Sequence, residues 1–125
     1  MNIKKSHLTW GILILLLVGG LVLMKLSSAN KETYDSLAKC LTTKGVKFYG
    51  AYWCPHCANQ KALFGDAARY LPYIECADPA NPQEVNAICK DNGVTGYPTW
   101  VFPGGKRLSG EVPLKNLAEE SGCTF

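Results

Sequence analysis

The sequence lacks the features of several functional classes. No acidic residue precedes Glu32, and once Lys4, Lys5 and Lys25 are set aside, the remaining 10 basic residues balance the 10 acidic ones. This balance leaves no basic patch, so we predict no nucleic-acid partner. The chain also contains no glycine-rich phosphate loop and no internal repeat. Nothing in it indicates a site for a nucleotide, flavin or quinone, and we predict that it carries no cofactor.

The N-terminal region is distinguished by a long apolar run. From Leu8 to Met24 every residue is apolar apart from Thr9 and three glycines, and lysines flank the run. Its 17 residues are at the short limit for a membrane-spanning helix and the long limit for a signal-peptide core. We predict three segments before the folded domain: a cytoplasmic n-region, a transmembrane signal anchor and a linker (residues 1–7, 8–26 and 27–32). The alternative is a signal peptide cleaved after Ala29.

Both interpretations place residues 33–125 outside the cytoplasm, because the positive-inside rule retains the basic N-terminus on the cytoplasmic side. We therefore expect a membrane-anchored chain with an extracytoplasmic domain, in a periplasm or on the outer face of the membrane. The six cysteines fit this compartment, where disulfides persist and supplement a small core. Composition alone leaves their pairing open.

The hydrophobic pattern of residues 33–125 alternates between helix and strand periods. Tyr34, Leu37, Ala38 and Leu41 recur at helical spacing, which indicates an amphipathic helix that ends near Gly45. The next segments are predicted as a strand (46–53), a helix that follows Cys54, has its apolar face at 63–71 and ends at Pro72, and a second strand (73–77). They are followed by a helix (85–92), a two-stranded hairpin (99–102 with 106–109) and a final helix (113–121). Strands joined through helices favour parallel pairing and a hairpin adds antiparallel strands, so we predict an α/β fold with a mixed sheet flanked by helices.

Two cysteines lie three residues apart where the first strand gives way to a helix, in Trp53-Cys54-Pro55-His56-Cys57. A helix start presents unpaired N–H groups and the positive end of the helix dipole, both of which favour a thiolate. We predict that Cys54 is the exposed attacking sulfur and Cys57 the buried resolving sulfur. A protonated His56 would add positive charge beside the Cys54 thiolate. Because this charge stabilises the reduced form, it makes the disulfide a stronger oxidant.

Other uses of a Cys-x-x-Cys pair fit this sequence less well. A zinc site usually needs a second such pair or two spaced histidines, and the only other histidine is His7. Haem attachment needs a histidine directly after the second cysteine, where Ala58 stands. A purely structural disulfide across two residues is strained and rare. The motif therefore predicts a redox pair and no metal site.

A second motif, Gly96-Tyr97-Pro98-Thr99, precedes the hairpin. A proline at this place can simply mark the entrance of an edge strand. It can also be a cis-proline beside the redox pair, which leaves the backbone before it free to pair with a substrate peptide. Trp53 and Tyr97 are the candidate substrate contacts, although Tyr97 also fits an ordinary aromatic at the edge of the core.

Through these two motifs, residues 33–125 resemble the thioredoxin family. They are most similar to the thioredoxin-like domain that accompanies bacterial homologues of vitamin K epoxide reductase. The matching features are the stretches 38–42, 48–57 and 96–100 and the spacing of Cys76 and Cys89. The resemblance implies a thioredoxin-like fold, catalytic roles for Cys54 and Cys57, and a cis peptide bond before Pro98.

The sequence departs from the family pattern in two respects. The membrane-embedded reductase bundle is not part of this chain, so we expect it as a separate partner. Phe48 stands six residues before Cys54, where thioredoxins proper carry a buried acid. This departure argues against their kind of proton relay and agrees better with an oxidant.

The other four cysteines are predicted to form structural disulfides. Cys76 ends the second strand and Cys89 lies on a helical face that points at the sheet, so we expect these two to pair. The alternative is two buried free thiols, which proteins tolerate well. By elimination, Cys40 then pairs with Cys123.

The leading interpretation is a thiol–disulfide oxidoreductase that donates the Cys54–Cys57 disulfide to exported proteins. A relative of vitamin K epoxide reductase, or another quinone-linked oxidoreductase in the same membrane, is the expected reoxidant. A reductase or isomerase that receives electrons from a membrane donor is the second enzyme hypothesis. The third is a membrane-tethered interaction module whose six cysteines are all structural.

Overall fold

The computed structural model describes residues 3–125, so the predicted n-region at 1–7 lies partly outside the described residues. The chain forms two units that meet between Glu32 and Thr33. The first unit consists of helix α1 (Ile3–Thr43) as far as Glu32. This helix is long and apolar enough to cross a membrane.

The segment predicted as a linker, residues 27–32, is helical and forms part of α1. Polar residues do not by themselves end a helix. The segment contains neither proline nor glycine, and Ala29, Lys31 and Glu32 are good helix formers.

The second unit is a mixed four-stranded sheet with flanking helices, which confirms the predicted fold class. After α1, its elements are β1 (Lys47–Gly50), α2 (Pro55–Phe64), a 3₁₀ helix (Gly65–Tyr70), β2 (Tyr73–Glu75), α3 (Ala87–Asp91), β3 (Thr99–Val101), β4 (Arg107–Ser109) and α4 (Leu114–Ser121). The strand order is β2-β1-β3-β4. Strand β1 pairs parallel with β2 and antiparallel with β3, and β4 completes the antiparallel hairpin. This topology is thioredoxin-like.

Alternation along β1 gives the sheet a hydrophobic core on each face. Phe48 points to one face, where its ring stacks on Trp100 with 4.3 Å between centroids. The helices α1 and α4 cover this face with buried apolar side chains, among them Leu37, Leu41 and Leu117. Tyr49 points to the other face, where it packs with Cys76, Cys89 and Val94.

Each core contains or borders one disulfide, and both pairings agree with those expected from the sequence. Cys76 is bonded to Cys89 at the centre of the second core. Cys40 is bonded to Cys123 and joins α1 to the segment that follows α4. The chain ends of the domain are thus covalently tied.

Helix α3 begins later than the hydrophobic pattern predicts. Asn86 is its N-cap, and the Asn86 side chain accepts a hydrogen bond of 3.1 Å from the backbone N–H of Cys89. Val85 lies before the helix and forms an isolated β-bridge with Ala77. The side-chain cap sets the helix start, because it satisfies a backbone donor that the helix itself leaves unpaired.

Candidate active site

Cys54 and Cys57 lie at the start of α2, directly after the loop that follows β1. Cys54 is the N-cap of α2 and has an extended backbone, and Pro55 occupies the first helical position. Proline suits this position because its missing N–H would be unpaired there in any case. These two cysteines are free thiols, whereas the other four are in disulfides.

The two thiols are more alike in burial than the sequence analysis expected. Cys54 is 6% exposed and Cys57 is 2% exposed. Both belong to a small apolar cluster with Ala51 and Ala77, against which Tyr97 packs. Cys54 is therefore a largely covered sulfur at the edge of the domain, not the exposed one we predicted, because these small side chains close around it.

The pKa of Cys57 is raised to about 12, mainly by burial, and the interaction with Cys54 acts in the same direction. The Ala51 backbone and the positive charge of Lys61 act in the opposite direction. A thiol with this pKa is protonated at neutral pH, so Cys57 cannot initiate an attack. Cys54, at the helix start, is the sulfur placed for that role.

The second sequence motif lies beside the redox pair. The peptide bond between Tyr97 and Pro98 is cis. The Cys54 thiol donates a hydrogen bond to the Tyr97 carbonyl oxygen, with 3.8 Å between sulfur and oxygen. The structure thus brings Cys54, Cys57, Tyr97 and Pro98 together at one end of the sheet.

Aromatic side chains border Cys54 on its solvent side. The rings of Trp53 and Tyr97 meet edge to face with 6.0 Å between centroids. The Trp53 indole N–H donates a hydrogen bond of 2.8 Å to the carbonyl of Pro82. Tyr52 and Trp53 are both exposed. Exposed aromatic surface next to a reactive sulfur can contact a substrate chain, which is the role predicted for Trp53 and Tyr97.

His56 is paired with a residue that the sequence analysis missed. Its Nδ1 lies 2.7 Å from a carboxylate oxygen of Glu111, and the Asn59 side-chain amide donates a hydrogen bond of 3.0 Å to the same oxygen. The hydrogen bond with His56, followed by that with Asn59, lowers the pKa of Glu111. The imidazole is thus bonded to Glu111 and not to the Cys54 sulfur.

A buried amide holds the Glu111 segment against α2. The Gln60 side chain accepts a hydrogen bond of 2.6 Å from the Val112 N–H and donates one of 3.0 Å to the Val112 carbonyl. No sequence motif indicates this contact, because the two residues lie 52 positions apart.

Glu75, at the end of β2, forms hydrogen bonds with three groups. Its carboxylate accepts hydrogen bonds from the Tyr52 N–H, the Ala77 N–H and the Tyr73 hydroxyl, at 3.2, 2.9 and 2.8 Å. Tyr73 is not among the site residues predicted from the sequence. Its spacing of two from Glu75 on a strand, which places both side chains on one face, was the available signal.

Among residues 3–125, no group of three or more His, Cys, Asp or Glu side chains is arranged to hold a metal ion. The two neighbouring thiols of Cys54 and Cys57 can exchange disulfides.

Comparison with known proteins identifies relatives among enzymes of thiol and disulfide chemistry. The chain is 41% identical over 104 residues to the thiol-disulfide oxidoreductase LTO1 of Arabidopsis thaliana, covering 81% of this chain and 27% of the relative. It is 33% identical over 112 residues to the probable protein disulfide-isomerase ER-60 of Schistosoma mansoni, covering 82% of this chain and 22% of the relative. It is 38% identical over 66 residues to sulfhydryl oxidase 1 of Gallus gallus, covering 46% of this chain and 8% of that protein.

The chain thus spans about a quarter or less of the length of these curated relatives. No family model matches it. Oxidized glutaredoxin 2 from Chlamydomonas reinhardtii aligns with 78% of this chain and 97% of its own, at 22% identity and a TM-score of 0.43.

The fold and the relatives define the class of protein. The mixed sheet and the sequence similarities support a thioredoxin-superfamily fold for residues 33–125. The names of the three relatives support a disulfide oxidoreductase of thioredoxin type.

Proposed function

We propose that this chain is a thiol–disulfide oxidoreductase that donates the Cys54–Cys57 disulfide to proteins outside the cytoplasm. The main observation behind this proposal is the pair of free thiols at the start of α2, in a domain whose other four cysteines form disulfides. An interaction module with six structural cysteines does not account for these two thiols.

The reaction divides between the two sulfurs. A client thiolate attacks Cys54 of the oxidised pair, the Cys54–Cys57 bond breaks, and Cys57 leaves as a thiolate that takes up a proton. A second client thiolate then attacks the client sulfur of the mixed disulfide and releases Cys54 as a thiolate. The client loses two electrons and gains a disulfide, and the Cys54–Cys57 pair gains those two electrons.

Three features favour this direction of electron flow. The helix start and a protonated His56 stabilise a Cys54 thiolate, and a more stable reduced form makes a stronger oxidant. Phe48 of β1 occupies the position where thioredoxins proper carry a buried acid, so this strand supplies no acid next to the redox pair.

Reoxidation is assigned to a separate membrane protein. Helix α1 is long enough to anchor the chain, and anchoring two proteins in one membrane raises their effective concentration. A relative of vitamin K epoxide reductase, or another quinone-linked oxidoreductase, would accept the two electrons from Cys54 and Cys57. We place the domain on the extracytoplasmic side, where its two structural disulfides persist.

The redox potential of the full chain in detergent tests the direction. Equilibration with glutathione should give a potential more oxidising than about −200 mV, and the oxidised chain should convert a reduced client to its disulfide form. Cys54→Ser should abolish the transfer, whereas Cys40→Ser with Cys123→Ser should retain it. A potential near that of thioredoxin, about −270 mV, would support the reductase instead.

Two further measurements separate the remaining alternatives. Faster rearrangement of a scrambled client than oxidation of a reduced one would support an isomerase. A Cys54 that resists alkylation after mild reduction would support the interaction module. The partner is tested by Cys57→Ala, which traps mixed disulfides at Cys54. Recovery of clients alone, without a quinone-linked membrane protein, would count against the proposed reoxidation.

A further inference from the structure

Cys57 must exchange a proton in every turnover of the proposed function, on which this inference rests. It leaves as a thiolate when a client is oxidised, and it must become a thiolate again when the pair is reoxidised. It is 2% exposed, so bulk water has little access to its sulfur. The proton therefore needs a protein group that reaches from the buried sulfur toward solvent.

The space above Gly50 brings Cys57 next to such a group. A β-carbon on Gly50 would lie 2.9 Å from the Cys57 sulfur, 2.8 Å from the Tyr73 ring and 3.4 Å from the Tyr73 hydroxyl. The sulfur and the hydroxyl thus border one small space, which only glycine leaves open. A single water that bridges the sulfur and the hydroxyl can carry a proton across that space.

The Tyr73 hydroxyl is already oriented for proton transfer. It donates a hydrogen bond of 2.8 Å to the carboxylate of Glu75, two residues farther along β2. Its oxygen can therefore accept a proton from the other side. Glu75 is only partly buried, so its carboxylate can exchange protons with solvent.

The other titratable groups around Cys57 are less suited to this task. Strand β1 offers Phe48 and Gly50 there, which do not titrate, while Tyr49 packs in the core of the opposite face. Lys61 of α2 places its ammonium 3.3 Å from the centroid of the Tyr73 ring, and its charge favours a Cys57 thiolate. The remaining groups that interact with Cys57 are Cys54 itself and Tyr97.

We propose that the Tyr73 hydroxyl carries the Cys57 proton to and from Glu75. During reoxidation the Cys57 S–H proton passes to the Tyr73 oxygen as the Tyr73 O–H proton passes to the Glu75 carboxylate. The Cys57 thiolate then attacks Cys54 of the mixed disulfide, a Cys57–Cys54 bond forms, and the partner's sulfur leaves as a thiolate. During client oxidation the protons move in reverse as Cys57 leaves.

The protonation properties of Tyr73 suit a relay. Burial, followed by the hydrogen bond to Glu75, raises the pKa of Tyr73 well above its ordinary value. The hydroxyl therefore stays neutral, and it transfers a proton only by accepting one and donating another together. A relay of this kind needs both Tyr73 and Glu75.

The two-step reaction of the reduced full chain with 5,5′-dithiobis(2-nitrobenzoate), in detergent, tests the relay. The first thionitrobenzoate is released when Cys54 attacks, at a rate that depends on reagent concentration. The second thionitrobenzoate is released when Cys57 attacks the mixed disulfide, at a rate that is independent of reagent concentration. The first phase thus reports on Cys54 and the second on Cys57, while the bonded cysteines remain silent.

In Tyr73→Phe the second phase should slow at least about tenfold at pH 7. This factor is smaller than the rate factor of about 100 or more that a positioned proton donor or acceptor typically contributes. The deficit should shrink as pH rises, since Cys57 then ionises without help. Glu75→Gln should show the same deficit, and the double variant should be no slower than either single one. Tyr70→Phe is the matched control, because its hydroxyl bonds to Arg69 outside the site.

A second phase of unchanged rate in Tyr73→Phe would overturn the relay. So would a deficit that stays constant with pH, because a merely structural role predicts that result. If the unaltered chain shows no second phase at any pH, Cys54 and Cys57 are not a redox pair, and the proposed function fails together with this inference.

Discussion

Replacement of Gln60 by methionine tests how the domain holds its active-site helix against the segment before α4. Gln60 is 0% exposed, and its amide makes hydrogen bonds to both the N–H and the carbonyl of Val112. Methionine has a similar length and volume, so Gln60→Met removes both hydrogen bonds with little change in packing. Both backbone groups of Val112 then lose a buried partner.

The expected loss follows from these two groups. A buried donor or acceptor left without a partner costs about 1–3 kcal/mol, so two such groups cost about 2–6 kcal/mol. The methionine side chain recovers part of this through its greater apolar burial. We therefore expect Gln60→Met to lower the free energy of unfolding by about 2–4 kcal/mol.

Urea unfolding of the full chain in nonionic detergent measures this loss. Tryptophan fluorescence reports on the fold, because Trp100 is fully buried in the first core. Gln83→Met is the matched control, since Gln83 is exposed and should change stability by less than about 0.5 kcal/mol. Both variants are compared under oxidising conditions that preserve the structural disulfides.

A second variant separates hydrogen bonding from packing. Gln60→Glu retains the acceptor for the Val112 N–H but buries a negative charge and removes the donor to the Val112 carbonyl. Protonation restores that donor and removes the charge, so its deficit should shrink as pH falls. A Gln60→Met value within about 0.5 kcal/mol of Gln83→Met would refute the reasoning.

Three other predictions concern the remaining features of the domain. Cys40→Ser with Cys123→Ser removes a disulfide between residues 83 positions apart, so calorimetry should show that the free energy of unfolding falls by about 4–5 kcal/mol, less any strain in the disulfide. A loss of Cys54 reactivity at unchanged stability would instead give this pair a redox role. His56→Leu should make the potential measured against glutathione more reducing, and an unchanged potential would attribute thiolate stabilisation to the helix start alone. The pKa of Glu111 is lowered, first by His56 and then by Asn59, so its ion pair stabilises the fold above about pH 4.5 and this contribution is lost as the pH falls further. Glu111→Gln should therefore make the free energy of unfolding less sensitive to acid. An unchanged dependence on acid pH would contradict the pairing.

Local signals were sufficient to predict most of the fold and the centre of the site. The spacing of Cys54 and Cys57 requires only one helical turn, and Gly122 ends α4 with a positive φ of 69°. The strand and helix periods gave the element order, although the strands are shorter than predicted. Residues 27–32, assigned to a linker because they are polar, are helical in the structure, since their helix propensity is favourable.

The supporting residues of the site could not be predicted in the same way. Glu111 meets His56, and Val112 meets Gln60, only because the hairpin of β3 and β4 returns the chain to α2. Such contacts depend on tertiary packing and leave no mark on local periodicity. Tyr73 and Glu75 show the intermediate case, since their shared strand face is readable from sequence, but their approach to Cys57 depends on the register of β2 beside β1.

The two sulfurs of the pair face different environments, and this difference orders the reaction. Cys54 lies at the helix start, where unpaired backbone N–H groups and the positive end of the helix dipole favour a thiolate. Cys57 lies one helical turn inward, where burial keeps its pKa high and the thiol protonated. In the proposed cycle a client or partner meets Cys54 first, and Cys57 acts only after a proton has moved. Because its attack is intramolecular, the second step does not depend on the concentration of the partner. If the proposed relay operates, Cys54 controls how fast a mixed disulfide forms, and Tyr73 with Glu75 controls how long that mixed disulfide lasts.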